Sequence, residues 1–109
     1  MDNNASDKKI KETKQMNFAE FELKLRTFSE NAKSEDRYLL DEMKQAIIVF
    51  AMAEKFGEDN EIFLKNNEYE FETACRRLSE KYTDFSDDIN YISRFVKEYY
   101  INNLIGGKN

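Results

Sequence analysis

Hydrophobic residues recur at spacings of three and four along most of the chain, and this pattern predicts amphipathic helices. The first helix is predicted to begin after Asn17, which suits an N-cap. Glu20 is placed to complete a capping box, and Met16 is placed to pack as a hydrophobic staple. The apolar stripe of this helix consists of Phe18, Phe21, Leu25, Phe28 and Ala32.

A second helix is predicted to run from Ser34 to Phe56, and Gly57 is expected to end it in the left-handed conformation. Its second half, residues 46–53 (AIIVFAMA), is apolar on every side. A segment of this kind is either enclosed at the centre of its own domain or carries a face that a partner or a second copy covers. The sequence leaves both alternatives open.

The region after Gly57 has two interpretations. In the first, Asp59 or Asn60 caps a short helical turn. Asn66 and Asn67 then interrupt that turn, and a new helix begins at Asn67. In the second, the two asparagines form the turn of a β-hairpin, because Asn tolerates the left-handed conformation. The apolar stripe expected for the new helix is Phe71, Ala74, Cys75, Leu78 and Tyr82.

The last helix is predicted to begin between Thr83 and Ser86, with Asp84 or Ser86 itself as the cap. Gly106 and Gly107 are expected to end it. Its apolar side is expected to carry Phe85, Ile89, Ile92, Phe95 or Val96, Tyr99 and Leu104.

Four amphipathic segments joined by short polar links predict an all-α fold, a small antiparallel helical bundle of about four main helices. We expect a single helical domain over residues 16–105. The polar stretch 1–15 is expected to be a flexible tail, because it contains too little apolar surface to order itself. Residues 106–109 are expected to be a flexible C-terminus.

The chain contains no histidine and one cysteine, so histidine-based catalysis and histidine-bearing zinc sites are excluded. Cys75 lies on an apolar stripe, where a core role is expected. The sequence has neither a glycine-rich phosphate loop nor a calcium loop. We therefore expect no catalytic residues, no metal and no cofactor. An enzyme that relies only on carboxylates, lysine or tyrosine is the catalytic alternative.

The formal net charge is −5, and residues 58–88 contain ten acidic residues against four basic ones. Because complementary charge speeds encounter and selects partners, this region predicts a face that binds a basic surface. Tyr99 and Tyr100 are adjacent, so both cannot face the core, and Tyr100 is expected to be the exposed contact residue. The predicted partner-binding residues are Glu68, Glu70, Glu72, Asp84, Asp87, Asp88 and Tyr100.

These features favour a non-catalytic helical protein-interaction factor. It is expected to dock on a larger, nucleic-acid-handling protein through the acidic face and to inhibit, neutralise or otherwise modulate that protein. A homodimer through residues 46–53 is a further expectation. The chain shows no signal-peptide pattern and no apolar run of membrane-spanning length, so a cytoplasmic location is expected.

The alternative function is a small helical subunit of a nucleoprotein complex that contacts nucleic acid through a minor basic face. The negative net charge disfavours direct nucleic-acid binding, because such binding requires basic residues that neutralise phosphates. The residues that would make these contacts are Lys24, Arg26, Arg76, Arg77, Arg94 and Lys97.

Overall fold

This computed structural model describes residues 17–106 of the chain. They form four helices joined by short links. No strand occurs within these residues, so the all-α prediction is confirmed and the β-hairpin alternative is wrong. The predicted tail at 1–15, the Met16 staple and the end at 107–109 lie outside the described residues. The helices are α1 (Phe18–Asn31), α2 (Arg37–Phe56), α3 (Glu61–Lys81) and α4 (Ser86–Val96), and α4 continues as a π-helical segment (Lys97–Gly106).

Local capping explains where several of these helices begin and end. The Asn17 side chain accepts hydrogen bonds from the backbone N–H groups of Ala19 and Glu20, at 2.8 and 3.3 Å. Gly57 ends α2 with φ 72°, in the left-handed region that favours glycine. The Asn60 side chain accepts from Phe63 N at 3.0 Å and caps α3. The caps predicted at Asn17, Gly57 and Asn60 are therefore confirmed.

Helices α2 and α4 begin differently from the prediction. Each is entered through a 3-10 turn, Ser34–Asp36 before α2 and Thr83–Phe85 before α4. No side chain makes a capping hydrogen bond at either entry. Ser34 therefore begins the 3-10 turn and not α2 itself, and the predicted caps at Asp84 and Ser86 are wrong, because the tighter turn leads the backbone directly into each helix.

Helix α3 is continuous through Asn66 and Asn67, where an interruption was expected. The two asparagines face opposite environments: Asn66 is exposed and Asn67 is buried. The Asn67 side-chain amide donates to the backbone carbonyl of Ala46 in α2 at 3.1 Å. A partner on a neighbouring helix thus compensates for the poor helix propensity of asparagine and keeps a polar group satisfied in the core.

The core is built around aromatic rings from every helix. The rings of Phe21 in α1 and Phe95 in α4 stack with their centroids 4.2 Å apart. Phe50 of α2 and Phe71 of α3 meet edge to face at 6.5 Å. Helix α1 therefore packs chiefly on α4, and α2 packs chiefly on α3, with the π-helical segment in contact with both α2 and α3. The short links make successive helices antiparallel, as predicted.

The π-helical segment reverses the expected roles of the two adjacent tyrosines. Tyr100 is 8% exposed and Tyr99 is 41% exposed, so the prediction that Tyr100 faces solvent is wrong. Hydrogen bonds in a π-helix span five residues instead of four, so the buried stripe advances by an extra residue per turn. The stripe therefore passes from Val96 to Tyr100 and Ile101, and Tyr99 is left at the margin, stacked on Phe95.

We predict that the Asn67 amide stabilises the α2–α3 pair, whereas the neighbouring Asn66 does not. The variant Asn67→Ala should unfold with a free energy about 1 kcal/mol lower than that of Asn66→Ala, because only Asn67 loses an interhelical hydrogen bond. Both variants replace asparagine with alanine inside α3, so the gain in helix propensity is the same for each. This gain therefore cancels when the two free energies of unfolding are compared. Urea denaturation followed by circular dichroism measures both, and equal free energies of unfolding would refute the assignment.

Candidate functional site

An apolar groove opens between α2 and α3, on the side of α2 that faces away from the core. Its volume is about 420 Å³. Four large apolar side chains in and around it are between 47% and 70% exposed, namely Ile48, Met52, Phe56 and Phe63. We call this surface the α2–α3 groove, and its lining residues are Gln45, Ile48, Val49, Met52, Ala53, Phe56, Glu58 and Phe63.

Helical geometry explains why the groove is apolar. Residues 46–53 are hydrophobic throughout, but a helix presents only part of its circumference to its neighbours. Phe50 and Ala53 are buried, whereas Ile48 and Met52, four residues apart, face outward. The interpretation in which the chain encloses this segment on every side is therefore wrong. The alternative of a partly exposed face is confirmed, and its coverage by a partner remains a prediction.

The predicted acidic residues fall into separate groups, the first of which lies in the middle of α3. Lys97 of the π-helical segment places its Nζ 3.8 Å from Glu72 Oε2. Glu68 lies one turn before Glu72, and its pKa is raised by partial burial and by the charge of Glu72. Glu70, two residues from each, lies on a different side of the helix and is exposed.

The second acidic group lies where α4 begins. Asp88 Oδ1 accepts a hydrogen bond from Lys24 Nζ at 3.1 Å, and Asp84 and Asp87 are exposed. Glu72 stands nine residues before the end of α3 at Lys81, about 14 Å along the helix axis. The structure therefore does not gather the predicted acidic residues into one compact face, although a role in partner binding remains a prediction for each.

The basic residues of the alternative function lie on α1, α3, α4 and the π-helical segment. Lys24 contacts Asp88 and lies 3.8 Å from Glu20, while Arg94 pairs with Glu98 at 3.8 Å. Lys97 is occupied by Glu72 as described above. Arg76 and Arg77 are exposed on α3, and Arg26 lines a separate groove between α1 and α2. Lys24, Arg94 and Lys97 are thus each close to a carboxylate, which offsets their positive charge.

A buried carboxylate joins the α1–α2 link to the end of α3. Asp36 Oδ1 accepts from Lys81 Nζ at 2.6 Å, and its Oδ2 accepts from the Tyr82 hydroxyl at 2.5 Å. The Tyr82 oxygen in turn accepts from the backbone N–H of Lys33 at 2.8 Å. The hydrogen bonds from Lys81 and Tyr82 lower the pKa of Asp36, so it is held in the charged form. Each polar group of this cluster has a partner, and we assign it a structural role.

The single cysteine lies in the core, as predicted. Cys75 is buried on α3, and its burial, together with the charge of Glu72, raises the pKa of the thiol to about 12. A thiol is nucleophilic only when it is deprotonated, so this side chain behaves as a small hydrophobic residue near neutral pH. Across residues 17–106, no group of three or more cysteine or acidic side chains is arranged to hold a metal ion.

Sequence analysis did not identify the residues of the groove as a set. The all-round hydrophobicity of 46–53 is a signal for part of it. Phe56 and Phe63, on either side of the turn at Gly57, are hydrophobic residues that fall outside the buried stripes, and this provides a second signal. Neither signal reveals that the two helices bring these rings to the same groove.

Comparisons with protein-family models, with curated proteins and with solved structures each gave no match to this chain. Of the helices that the structure describes, none combines the length and the hydrophobicity needed to cross a membrane.

We predict that the Asp36 carboxylate stabilises the fold in its charged form. Its pKa is lower in the folded chain than the ordinary value of about 3.9, so its contribution is present above that pH and is lost as the pH falls through the folded pKa. The variant Asp36→Asn should therefore unfold at a lower temperature than the wild type at pH 7. The difference should persist down to about pH 4 and close below it.

The matched control is Asp41→Asn, which removes an exposed carboxylate of α2 that has no ion pair among residues 17–106. Its unfolding temperature should stay close to that of the wild type at every pH. Thermal unfolding followed by circular dichroism from pH 7 to pH 2 measures these differences. A deficit in Asp36→Asn that is constant over this range would contradict the charged-carboxylate role.

Proposed function

We propose that this chain is a non-catalytic helical interaction protein that docks on a larger protein through the α2–α3 groove. The observation that supports the proposal is the exposure of Ile48, Met52, Phe56 and Phe63 together at one groove. Contiguous apolar surface that is left open by a folded domain is typical of interaction sites. Large apolar side chains in such a pocket supply most of the binding free energy when a partner covers them.

In this proposal the acidic charge of the chain acts on the approach of the partner, whereas the apolar groove holds the partner once it has docked. A net charge of −5, with carboxylates on several faces, attracts a basic partner over a distance and speeds the encounter. Basic surfaces are typical of proteins that handle nucleic acids. We therefore propose that the partner is a larger cytoplasmic protein of this kind, and that docking inhibits or otherwise modulates it.

The alternative, a subunit that contacts nucleic acid, has one supporting observation. Arg26, Arg37 and Lys44 line the groove between α1 and α2, and no ion pair occupies any of them within residues 17–106. Glu22 and Glu30 line the same groove. Their charges oppose phosphate binding, so this second function has weaker support than protein docking.

The proposal predicts that a partner covers Met52 in cells that make the protein. A photo-crosslinking amino acid, p-benzoylphenylalanine, would replace Met52 in one variant and Leu23 in another. These side chains are 50% and 52% exposed, so the two positions are matched in access to solvent. On irradiation, the Met52 variant should give a discrete product with a second protein, whereas the Leu23 variant on α1 should not.

Mass spectrometry of the products identifies what was captured. A product that contains a larger protein at position 52, and not at position 23, supports docking through the groove. The absence of any product at position 52, or the same set of products at both positions, would refute it. A product that contains only a second copy of this chain would refute docking on a larger protein and would show self-association instead.

A further inference from the structure

The dimensions of the α2–α3 groove match a short helix. The lining residues of α2 extend from Gln45 to Phe56, about 16 Å or three helical turns. Phe63 of α3 supplies the opposite wall at the end beside Phe56. A row of apolar side chains of this length along one helix accepts an amphipathic helix with anchoring side chains at i, i+3, i+4 and i+7.

One carboxylate lines the groove at one end, and helical geometry puts a second carboxylate at the other end. Glu58 lines it at the end where α2 stops. Glu42 precedes Gln45 by three residues and so continues the same stripe of α2 at the other end. Lys55, whose Nζ lies 5.8 Å from the centroid of the Phe56 ring, adds one positive charge beside the groove.

A third carboxylate joins the end marked by Glu42. The hydrogen bond from Asn67 to Ala46 fixes the register of the two antiparallel helices. Glu70, three residues beyond Asn67, is therefore level with about residue 43 of α2. It follows Phe63 by seven residues, which puts both on the same stripe of α3. Glu42, Glu58 and Glu70 make no ion pair within residues 17–106.

This charge distribution disfavours a second copy as the occupant of the groove. A two-fold dimer places the same surface on both sides of the interface. If the two α2 helices run antiparallel about the centre of the groove, Glu42 of one copy faces Glu58 of the other. If they run parallel, each carboxylate faces its own counterpart. Both arrangements bring carboxylates together, and Lys55 beside the groove offsets only part of their charge, so the contact is unfavourable.

We propose that the α2–α3 groove binds an amphipathic helix of another protein, with apolar anchors along one face and lysine or arginine at both ends. This inference rests on the proposed docking function and specifies its partner. The helix buries its apolar face against Ile48, Met52 and Phe56. Its terminal cations pair with Glu58 at one end and with Glu42 and Glu70 at the other.

The exposed area sets the scale of the interaction. The four exposed side chains of the groove leave on the order of 400 Å² of apolar surface uncovered, taking roughly 200 Å² for each fully exposed side chain. That is about half of one side of a standard protein–protein interface. An apolar area of this size suits a single helix. Because the apolar contact is small, the charged ends of that helix are needed to make its binding selective.

Two synthetic helical peptides test the proposal. Both have the same alanine and glutamine framework with leucines at i, i+3, i+4 and i+7. One carries two lysines at each end, and the other carries two glutamates at each end. Binding of each labelled peptide to the full chain is measured by fluorescence anisotropy at low ionic strength and again at high salt.

We expect the lysine peptide to bind about tenfold more tightly than the glutamate peptide at low salt, and high salt to reduce this ratio. The triple variant Glu42→Gln, Glu58→Gln and Glu70→Gln should bring the ratio to within about twofold. Glutamine preserves the side-chain shape and the acceptor through which Glu58 receives the N–H of Asn60. The charge-matched control Glu22→Gln, Glu30→Gln and Glu80→Gln removes three exposed carboxylates outside the groove and should retain the ratio.

A second pair of variants tests the apolar contact without changing the charge. The variant Met52→Gln with Phe56→Gln should weaken the lysine peptide about tenfold or more. Its control is Leu23→Gln with Tyr69→Gln. Leu23 and Tyr69 are 52% and 70% exposed, which matches the 50% and 70% of Met52 and Phe56. The control should bind the lysine peptide as the wild type does. Circular dichroism verifies that each variant is folded.

Failure of this inference can be distinguished from failure of the docking function. If both peptides bind with equal affinity, and neither binds to the variant Met52→Gln with Phe56→Gln, the groove binds helices but the preference for basic ends is refuted. If neither peptide binds while the photo-crosslink at Met52 captures a larger protein, docking stands and the basic helix is refuted. If sedimentation velocity shows a dimer that Met52→Gln with Phe56→Gln dissociates, the occupant is a second copy and the inference is overturned.

Discussion

The bundle cannot cover all of the apolar surface that α2 carries, and the α2–α3 groove follows from this constraint. Residues 46–53 are hydrophobic around the whole helix. Helix α3 and the π-helical segment pack on the inner side, whereas α1 pairs with α4 and leaves the outer side of α2 open. Burying Ile48 and Met52 would release free energy, so a surface of this kind favours a partner.

Polar contacts then fix how α2 and α3 lie against each other, and so shape the groove. Asn67 bonds to the backbone of Ala46 near the middle of the pair, and Asp36 bonds to Lys81 and Tyr82 at one end. Apolar packing alone tolerates sliding of one helix along another, whereas buried hydrogen bonds are satisfied in one register. This register places Glu70 of α3 level with the end of the groove that Glu42 marks.

Local sequence signals predicted the helical architecture well, because they depend on neighbouring residues. The Asn17 cap, the Gly57 terminator and the apolar stripes need only the helical period and the chemistry of a cap. The buried role of Asn67 depends on a carbonyl in another helix, so the local pattern of polar residues predicts a break there instead. The exposure of Tyr99 in place of Tyr100 depends on π-helical winding, for which the sequence gives no marker. The acidic residues of 58–88 are close along the chain, but helical rotation turns them to different sides, and Lys24 and Lys97 pair with Asp88 and Glu72.

The two methionines of α2 allow the most direct test of this account. Met43 is 0% exposed and faces the core, whereas Met52 is 50% exposed in the α2–α3 groove. Treatment of the folded, isolated chain with dilute hydrogen peroxide, followed by peptide mass spectrometry, measures the rate of sulfoxide formation at each. The account predicts fast oxidation of Met52 and protection of Met43 until the chain is unfolded. Equal protection of the two methionines would contradict it, because the outer face of α2 would then already be covered.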